Sequence, residues 1–252
     1  MSVKVIAHRG ACVVAPQNTM PAFEKGLELN VDGFETDVHL TKDGIPVLCH
    51  DYEIEETSNG HGTITSMNLD ELLQFDFGGY FGKEFEGTKI PTLEEFLTLC
   101  EDDSVEVMNI EIKPSKENDM TVVHKTIEAV KAHGLFDKLL ISSFSAKMLI
   151  ESKKIDKKCK TAFLYSPKDK IITKILFTAA KFARGLGVSA LHPHFTVVTP
   201  QYVKKAHALG IEVNPWTVNK ESDIRRMIKY GVDGIITDYP EVVHKIIDEM
   251  NA

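Results

Sequence analysis

The chain has 252 residues, 43% of them hydrophobic, enough for the core of one large domain, and its formal net charge of -8 denies it the basic field on which nucleic-acid binding depends. Its N-terminus runs straight into a strand-like segment without the apolar stretch of a secretory signal, and no run approaches the roughly 18 apolar residues of a membrane-spanning helix, so the expectation is a cytoplasmic protein with no transmembrane segment. Four dispersed cysteines, Cys12, Cys49, Cys100 and Cys159, contain no C-x-x-C pair and read as buried free thiols, not as a disulfide framework or a zinc site.

In chain order, β-rich runs fall at residues 3–8, 33–40, 105–113, 139–143, 161–165, 188–192, 211–218 and 234–237. Helical patterns lie between them, including 21–29, 120–133, 170–184, 200–209, 221–230 and 240–249. Strand and helix alternating at this pitch predict parallel βα units, and eight of them predict a closed (β/α)₈ TIM barrel in one domain. One run interrupts the alternation. Residues 45–50 follow Leu40 after Thr41-Lys42-Asp43-Gly44, and an Asp-Gly pair between two β runs signals a hairpin. Pairing Leu40 near Ile45 places His50 opposite about Glu35. Residues from about 52 to 90, rich in glycine with a short apolar patch at Leu69, Leu72, Leu73 and Phe75, show no barrel strand. They read as a small cap inserted after the second barrel strand, over the functional rim.

Barrel enzymes carry their chemistry at the C-terminal ends of the strands, where this sequence sets His8, Asp37, Lys113, His192, Trp216 and Asp238. Residues two apart on a strand share a face, so Glu35 and Asp37 point together, as do Glu111 and Lys113. Glu35, Asp37 and Glu111 supply hard oxygen ligands suited to a divalent metal, Mg²⁺ or Ca²⁺; the alternative is that they form ion pairs with Arg9 and Lys113. Such a metal would polarise a phosphoryl oxygen while Arg9 and Lys113 neutralise the charge that grows on it. His8 and His50 are the natural acid and base because imidazole titrates near neutrality, with His8 the first choice of base. Asp51 either orients a histidine or belongs to a turn, and stays outside the catalytic set. Trp216 offers an apolar wall to a substrate or fills the barrel mouth. His192 is balanced between substrate contact and structure, and Phe81 is a substrate contact from the cap. Asn219 and Asp238 suit the N-caps of the helices that follow them.

Taken together, His8-Arg9-Gly10, Pro16-Gln17-Asn18-Thr19, Glu35-Thr36-Asp37-Val38, His50-Asp51, Glu111-Ile112-Lys113, Trp216-Thr217-Val218-Asn219 and Thr237-Asp238-Tyr239-Pro240 resemble the glycerophosphodiester phosphodiesterase family, of phosphatidylinositol-phospholipase-C-like barrel fold. The resemblance implies metal-dependent hydrolysis of a small-molecule glycerophosphodiester to sn-glycerol 3-phosphate and an alcohol. It carries over His8 and His50 as acid–base residues, Glu35, Asp37 and Glu111 as metal ligands, and Arg9 and Lys113 as phosphate contacts. Gln17 departs from it, since the family usually has glutamate there. A neutral amide keeps hydrogen bonds but adds no charge, which bears on metal affinity or on the orientation of neighbouring groups. Two other classes fit the residues less well: a metal-dependent lyase or aldolase on a phosphorylated sugar, with a carbonyl-polarising metal or Lys113 as Schiff-base lysine, and a catalytically silent phosphate-binding barrel. Headgroup preference and oligomeric state have no signature in the sequence.

Overall fold

The computed structural model describes residues 3–113, 119–167 and 184–252. Its parallel strands are β1 (Lys4–His8), β2 (Gly33–Leu40), β4 (Val107–Ile112), β5 (Leu139–Ser143), β6 (Lys160–Tyr165), β7 (Ala190–Pro193), β8 (Glu212–Val213) and β9 (Gly234–Thr237), while β3 (Pro46–Leu48) pairs antiparallel with β2. The ladder runs β8-β7-β6-β5-β4-β2-β1-β9. Between its two ends, Asp233 N donates to Val213 O, Ile236 N to Pro215 O and Val218 N to Ile236 O at 3.0–3.1 Å, which brings the eight-stranded barrel nearly to closure. Around it lie α1 (Met20–Glu28), α3 (Leu93–Leu99), α4 (Thr121–Ala132), α5 (Ala146–Ile155), α6 (Pro200–His207), α7 (Glu221–Tyr230) and α8 (Pro240–Asn251), with a short α2 (Leu69–Leu72) in the insertion. Among the described residues no helix is long and apolar enough to cross a membrane.

Alternation along each strand separates two layers. On β2, Phe34 and Val38 face the helices; on β4, Met108, Ile110 and Ile112 do the same, and all join one core with α1 and α3. Phe23 of α1 packs on Phe34 and Phe96 with ring centroids 5.5 and 4.7 Å apart. The opposite faces of the same strands point into the barrel and carry His8, Glu35, Asp37, Asn109 and Glu111 to its mouth. Helix starts follow local chemistry: Thr92 and Glu95 form a capping box at α3, and Thr199 caps α6 ahead of Pro200.

Several boundaries differ from the sequence reading for identifiable reasons. The run expected over 211–218 is a strand only at Glu212–Val213, because Pro215 has no amide hydrogen to continue the ladder. The helix expected over 170–184 lies, but for Arg184, outside the described residues. The hairpin forms, but one step out of the expected register, with Leu40 opposite Pro46 and Val38 opposite Leu48. Thr41 fixes the turn by donating its N–H to Ile45 O and accepting the Ile45 N–H on Oγ1. Cys49, Cys100 and Cys159 are buried, whereas Cys12 is only half-buried. Residues 52–90 contain no barrel strand, and Ile54, Ile64, Leu72, Phe77 and Ile90 form a small core of their own with Val47 and Cys49.

Candidate active site

Parallel pairing sets the site's first row. His8 lies in register with Glu35, Glu35 with Asn109, and Asp37 with Glu111, so neighbouring strands deliver one histidine and three carboxylates to one face of the barrel mouth. Immediately after β1 the chain reverses. Arg9 takes a φ of 58° and Gly10 one of 79°, a region costly for residues with a Cβ. A Cβ on Gly10 would stand 2.8 Å from the Ala22 carbonyl carbon, so glycine is required at that contact with α1. Arg9 N donates to Glu35 O at 2.8 Å, and its guanidinium donates to Gln17 Oε1 at 2.5 Å. The neutral side chain of Gln17 therefore bears on the orientation of Arg9 and is not one of the three converging carboxylates.

Glu35, Asp37 and Glu111 each present an oxygen within 4.8 Å of the others, and all three are buried. Asn18 Nδ2 donates to Asp37 Oδ2 at 2.9 Å, and Thr36 Oγ1 donates to Asn18 Oδ1 at 2.8 Å. The threonine thus fixes which end of the amide faces the carboxylate. Lys113 Nζ lies 2.8 Å from Asp37 Oδ1 and 2.9 Å from Glu111 Oε1, and Arg9 Nε lies 3.7 Å from Asp37 Oδ2. The ion pairs that stood as the alternative to metal binding form at Asp37 and Glu111, but Glu35 Oε2 remains buried without a hydrogen bond. Burial, reinforced by Asp37 and Glu111, raises the Glu35 carboxyl well above its ordinary range. Burial with the charge of Asp37 likewise brings Glu111 up to about 7. Burial works against ionised Asp37 too, yet Lys113 and Arg9 hold it low. Three acids against two cations, with Glu35 Oε2 left without a donor, fit a hard cation, which would offset the burial and mutual repulsion that raise Glu35 and Glu111.

The two histidines flank this group. Nδ1 of His8 donates to Asp238 Oδ1 at 2.6 Å, leaving Nε2 directed inward, 3.8 Å from Glu35 Oε2. His50 follows β3; its ladder stops at Leu48, Cys49 N donates to Asp37 O at 3.1 Å, and the ring then lines the cavity. His39 Nε2 donates to the His50 carbonyl at 3.3 Å, anchoring that backbone. The Asp51 carboxylate lies 2.9 Å from His50 Nδ1, so Asp51, left aside on sequence, is within reach to orient the ring. Burial, with help from Lys113 and Arg9 and against the pull of Asp37, pushes His50 down to about 4.

These groups surround a cavity of about 220 Å³ whose far wall is Phe144, Leu164, Trp216 and Ile236. Phe144 meets Trp216 edge-on, with centroids 5.6 Å apart. An adjoining space of about 240 Å³ is lined by His8, Arg9, Cys12, Gln17, Tyr80, Phe81 and Asp238. Phe81 is therefore at the mouth as expected, joined by Tyr80, which sequence reasoning missed. A larger space of about 910 Å³ lies at the opposite end of the barrel, where Lys4, Lys138 and Lys160 face Glu106, Glu212 and Asp233; its mixed charges converge on no point.

Two expectations are corrected. His192 does not line either mouth cavity: it is fully buried, its Nε2 lies 3.2 Å from Asn214 Nδ2, and its carbonyl accepts the Trp216 indole N–H at 2.7 Å. Its place is beneath the tryptophan, where it supports that wall. Asp238 and Asn219 do not cap helices, since Lys220 and Tyr239 occupy those positions. Instead Asn219 Oδ1 accepts from Asp238 N at 3.0 Å and its Nδ2 donates to Asp238 Oδ2 at 2.6 Å, aiming the other oxygen at His8. The available signal was positional: Asp238 ends the strand that pairs with β1.

Comparison with known proteins points to one family. The glycerophosphoryl diester phosphodiesterase family matches residues 8–242. A glycerophosphodiester phosphodiesterase of Caldanaerobacter subterraneus is 37% identical over 98% of both chains, and one of Bacillus altitudinis is 33% identical over 98% of this chain and 99% of the other. Among solved structures, an Oleispira antarctica phosphodiesterase in complex with the product sn-glycerol-3-phosphate superposes with a TM-score of 0.89, at 30% identity, over 98% of this chain and 97% of the other.

Proposed function

The chain belongs to the glycerophosphoryl diester phosphodiesterase family, and on that premise we propose that it hydrolyses glycerophosphodiesters to sn-glycerol 3-phosphate and an alcohol with His8 and His50 as its acid–base pair. The observation that carries this reading is the pairing of two inward-facing imidazoles with three buried carboxylates around one cavity. Glu35, Asp37 and Glu111 hold a hard divalent cation, Mg²⁺ or Ca²⁺, consistent with the orphaned Glu35 Oε2. Once bound, such a cation supplies Lewis-acid polarisation of a phosphoryl oxygen.

The remaining steps belong to the chain's own side chains. Arg9 and Lys113 line the cavity and offset the charge that develops on the phosphoryl group. His50, which burial keeps neutral, is the base in place of His8: its Nε2 takes the proton of the glycerol 2-hydroxyl as that oxygen attacks phosphorus. His8, held by the Asp238 carboxylate, delivers a proton to the departing alcohol. Water then opens the cyclic phosphate with the two roles exchanged, returning both rings to their starting states. Trp216 and Phe144 offer an apolar wall to the glycerol carbons, and residues 52–90 act as a cap that brings Tyr80 and Phe81 to the leaving alcohol. A Schiff-base role for Lys113 is disfavoured, because Asp37 and Glu111 outweigh the effect of burial and keep its ammonium charged.

The test is release of sn-glycerol 3-phosphate from glycerophosphocholine, glycerophosphoethanolamine and glycerophosphoglycerol by chelated protein resupplied with Mg²⁺ or Ca²⁺. Metal-dependent release that falls by about 10²–10⁴ in His50→Gln is expected. No release from any of the three with either metal refutes the activity, and rapid cleavage of a 2-deoxy analogue refutes the cyclic route.

A further inference from the structure

Beside the carboxylate group three donors of different chemistry converge. Asp238 Oδ1 lies 2.6 Å from His8 Nδ1 and 3.4 Å from Cys12 Sγ, and one donor atom from each of the three residues lies within 4.8 Å of the others. Asn219 holds Asp238 through both its backbone N–H and its second carboxylate oxygen, so the shared oxygen is aimed and not free to swing. All three residues are only partly buried, and the space of about 240 Å³ under Tyr80 and Phe81 opens directly on them. An ion has a route in and room for a water as a further ligand. Cys12 is also the only one of the four thiols that is not buried.

We propose that His8, Cys12 and Asp238 form a second metal site, selective for thiophilic ions such as Zn²⁺ and Cd²⁺, through which those ions switch the enzyme off. One sulfur, one imidazole nitrogen and one carboxylate oxygen make a tetrahedral zinc-type donor set, with Zn–S about 2.3 Å and Zn–N or Zn–O about 2.0–2.2 Å. Bonds of that length separate ligand atoms by about 3–4 Å, so the Cys12–Asp238 spacing already fits and the His8–Asp238 pair has to open by less than about 1 Å. The two neighbouring groups therefore sort metals by softness: all-oxygen Glu35, Asp37 and Glu111 take Mg²⁺ or Ca²⁺, and the thiolate-containing group takes Zn²⁺ or Cd²⁺.

Binding changes what His8 can do. The Cys12 thiol gives its proton to solvent as the Sγ–metal bond forms, the Nδ1 proton that His8 had shared with Asp238 also passes to solvent so that the freed lone pair binds the metal, and the ring keeps one proton, at Nε2. A ring bound in this way has no lone pair left to accept a proton and no second proton to give, and Asp238 no longer supports its charged form. Binding itself follows from the donor set alone; the inhibitory consequence rests on the acid–base role proposed for His8.

Cys12→Ser separates the two, because a hydroxyl keeps a donor toward Asp238 but loses the thiolate. Cd²⁺ titrated into Mg²⁺-saturated protein is expected to give one cadmium–thiolate absorption band per chain, absent in Cys12→Ser. Zn²⁺ inhibition of sn-glycerol 3-phosphate release, with each protein normalised to its own uninhibited rate, is expected to require at least tenfold more zinc in Cys12→Ser. A wild-type protein without the band, a band that survives in Cys12→Ser, or equal zinc sensitivity of the two proteins overturns the proposal. Should the protein release no product at all, the cadmium band still decides the site, and the missing turnover counts against the proposed activity instead.

Discussion

Asp238→Asn perturbs the reaction without altering the carboxylates proposed to hold metal. In the native arrangement Asn219 turns its amide NH₂ toward Asp238 Oδ2 at 2.6 Å, because its own carbonyl oxygen is engaged by the Asp238 N–H at 3.0 Å. An asparagine at 238 must therefore set its oxygen toward Asn219 and its NH₂ toward His8 Nδ1, a donor where an acceptor stood. His8 responds by placing its proton on Nε2, the wrong tautomer for proton exchange with substrate. Losing the charge-assisted bond alone costs about 1.5–3 kcal/mol, and since each 1.36 kcal/mol is about tenfold in rate, kcat should fall by at least about 10- to 150-fold. If Asp238 acts through His8 without holding substrate, as the proposed mechanism has it, KM should stay within about threefold, and metal-induced stabilisation should be unchanged. Steady-state release of sn-glycerol 3-phosphate, with circular dichroism to confirm folding, measures this. A kcat within threefold of wild type in folded protein would refute the positioning role, and a rise in KM at constant kcat would move Asp238 into substrate binding.

Two further outcomes follow from the site's electrostatics and from Gln17. In metal-free protein, burial and Asp37 raise Glu111 to about 7 from an ordinary 4.5, so the folded state holds a proton that the unfolded state has released. Stability should fall as pH rises from about 4.5 to 7, and saturating Ca²⁺ or Mg²⁺ should raise Tm more at pH 8 than at pH 5. At about 100 times Kd the gain is about 2.7 kcal/mol, or roughly 5–10 °C for a chain of this size; equal shifts at both pH values in differential scanning fluorimetry would contradict proton–metal competition at Glu111. Gln17→Glu should leave kcat and KM within about threefold, since either side chain offers the Arg9 guanidinium an oxygen; a large gain in metal affinity by calorimetry would instead make residue 17 part of the metal site.

The barrel was legible because its signal is periodic. On β2 the helix-facing apolar Phe34 and Val38 alternate with inward-facing Glu35 and Asp37, and that alternation survives without any contact information. The converging carboxylates were legible for the same reason, since Glu35 and Asp37 share a face by spacing alone. Asp238 and Asn219 were misread because N-capping is a local preference, whereas their partners were each other and His8, at the far end of the chain. His192 was misread because a residue at a strand end can point under its neighbour as well as into the mouth, and the Trp216 indole above it decided which. The one-residue register error at the hairpin came from Thr41, whose hydroxyl takes a backbone donor that a simple count assigns to the ladder.

The hydrogen bond between His8 and Asp238 joins residues separated by 230 positions, and it exists only because β9 lies beside β1. A chain emerging from the ribosome thus carries His8, Arg9 and all three site carboxylates long before the partner that makes His8 useful. On the acid–base role proposed for His8, turnover requires that this last strand has docked.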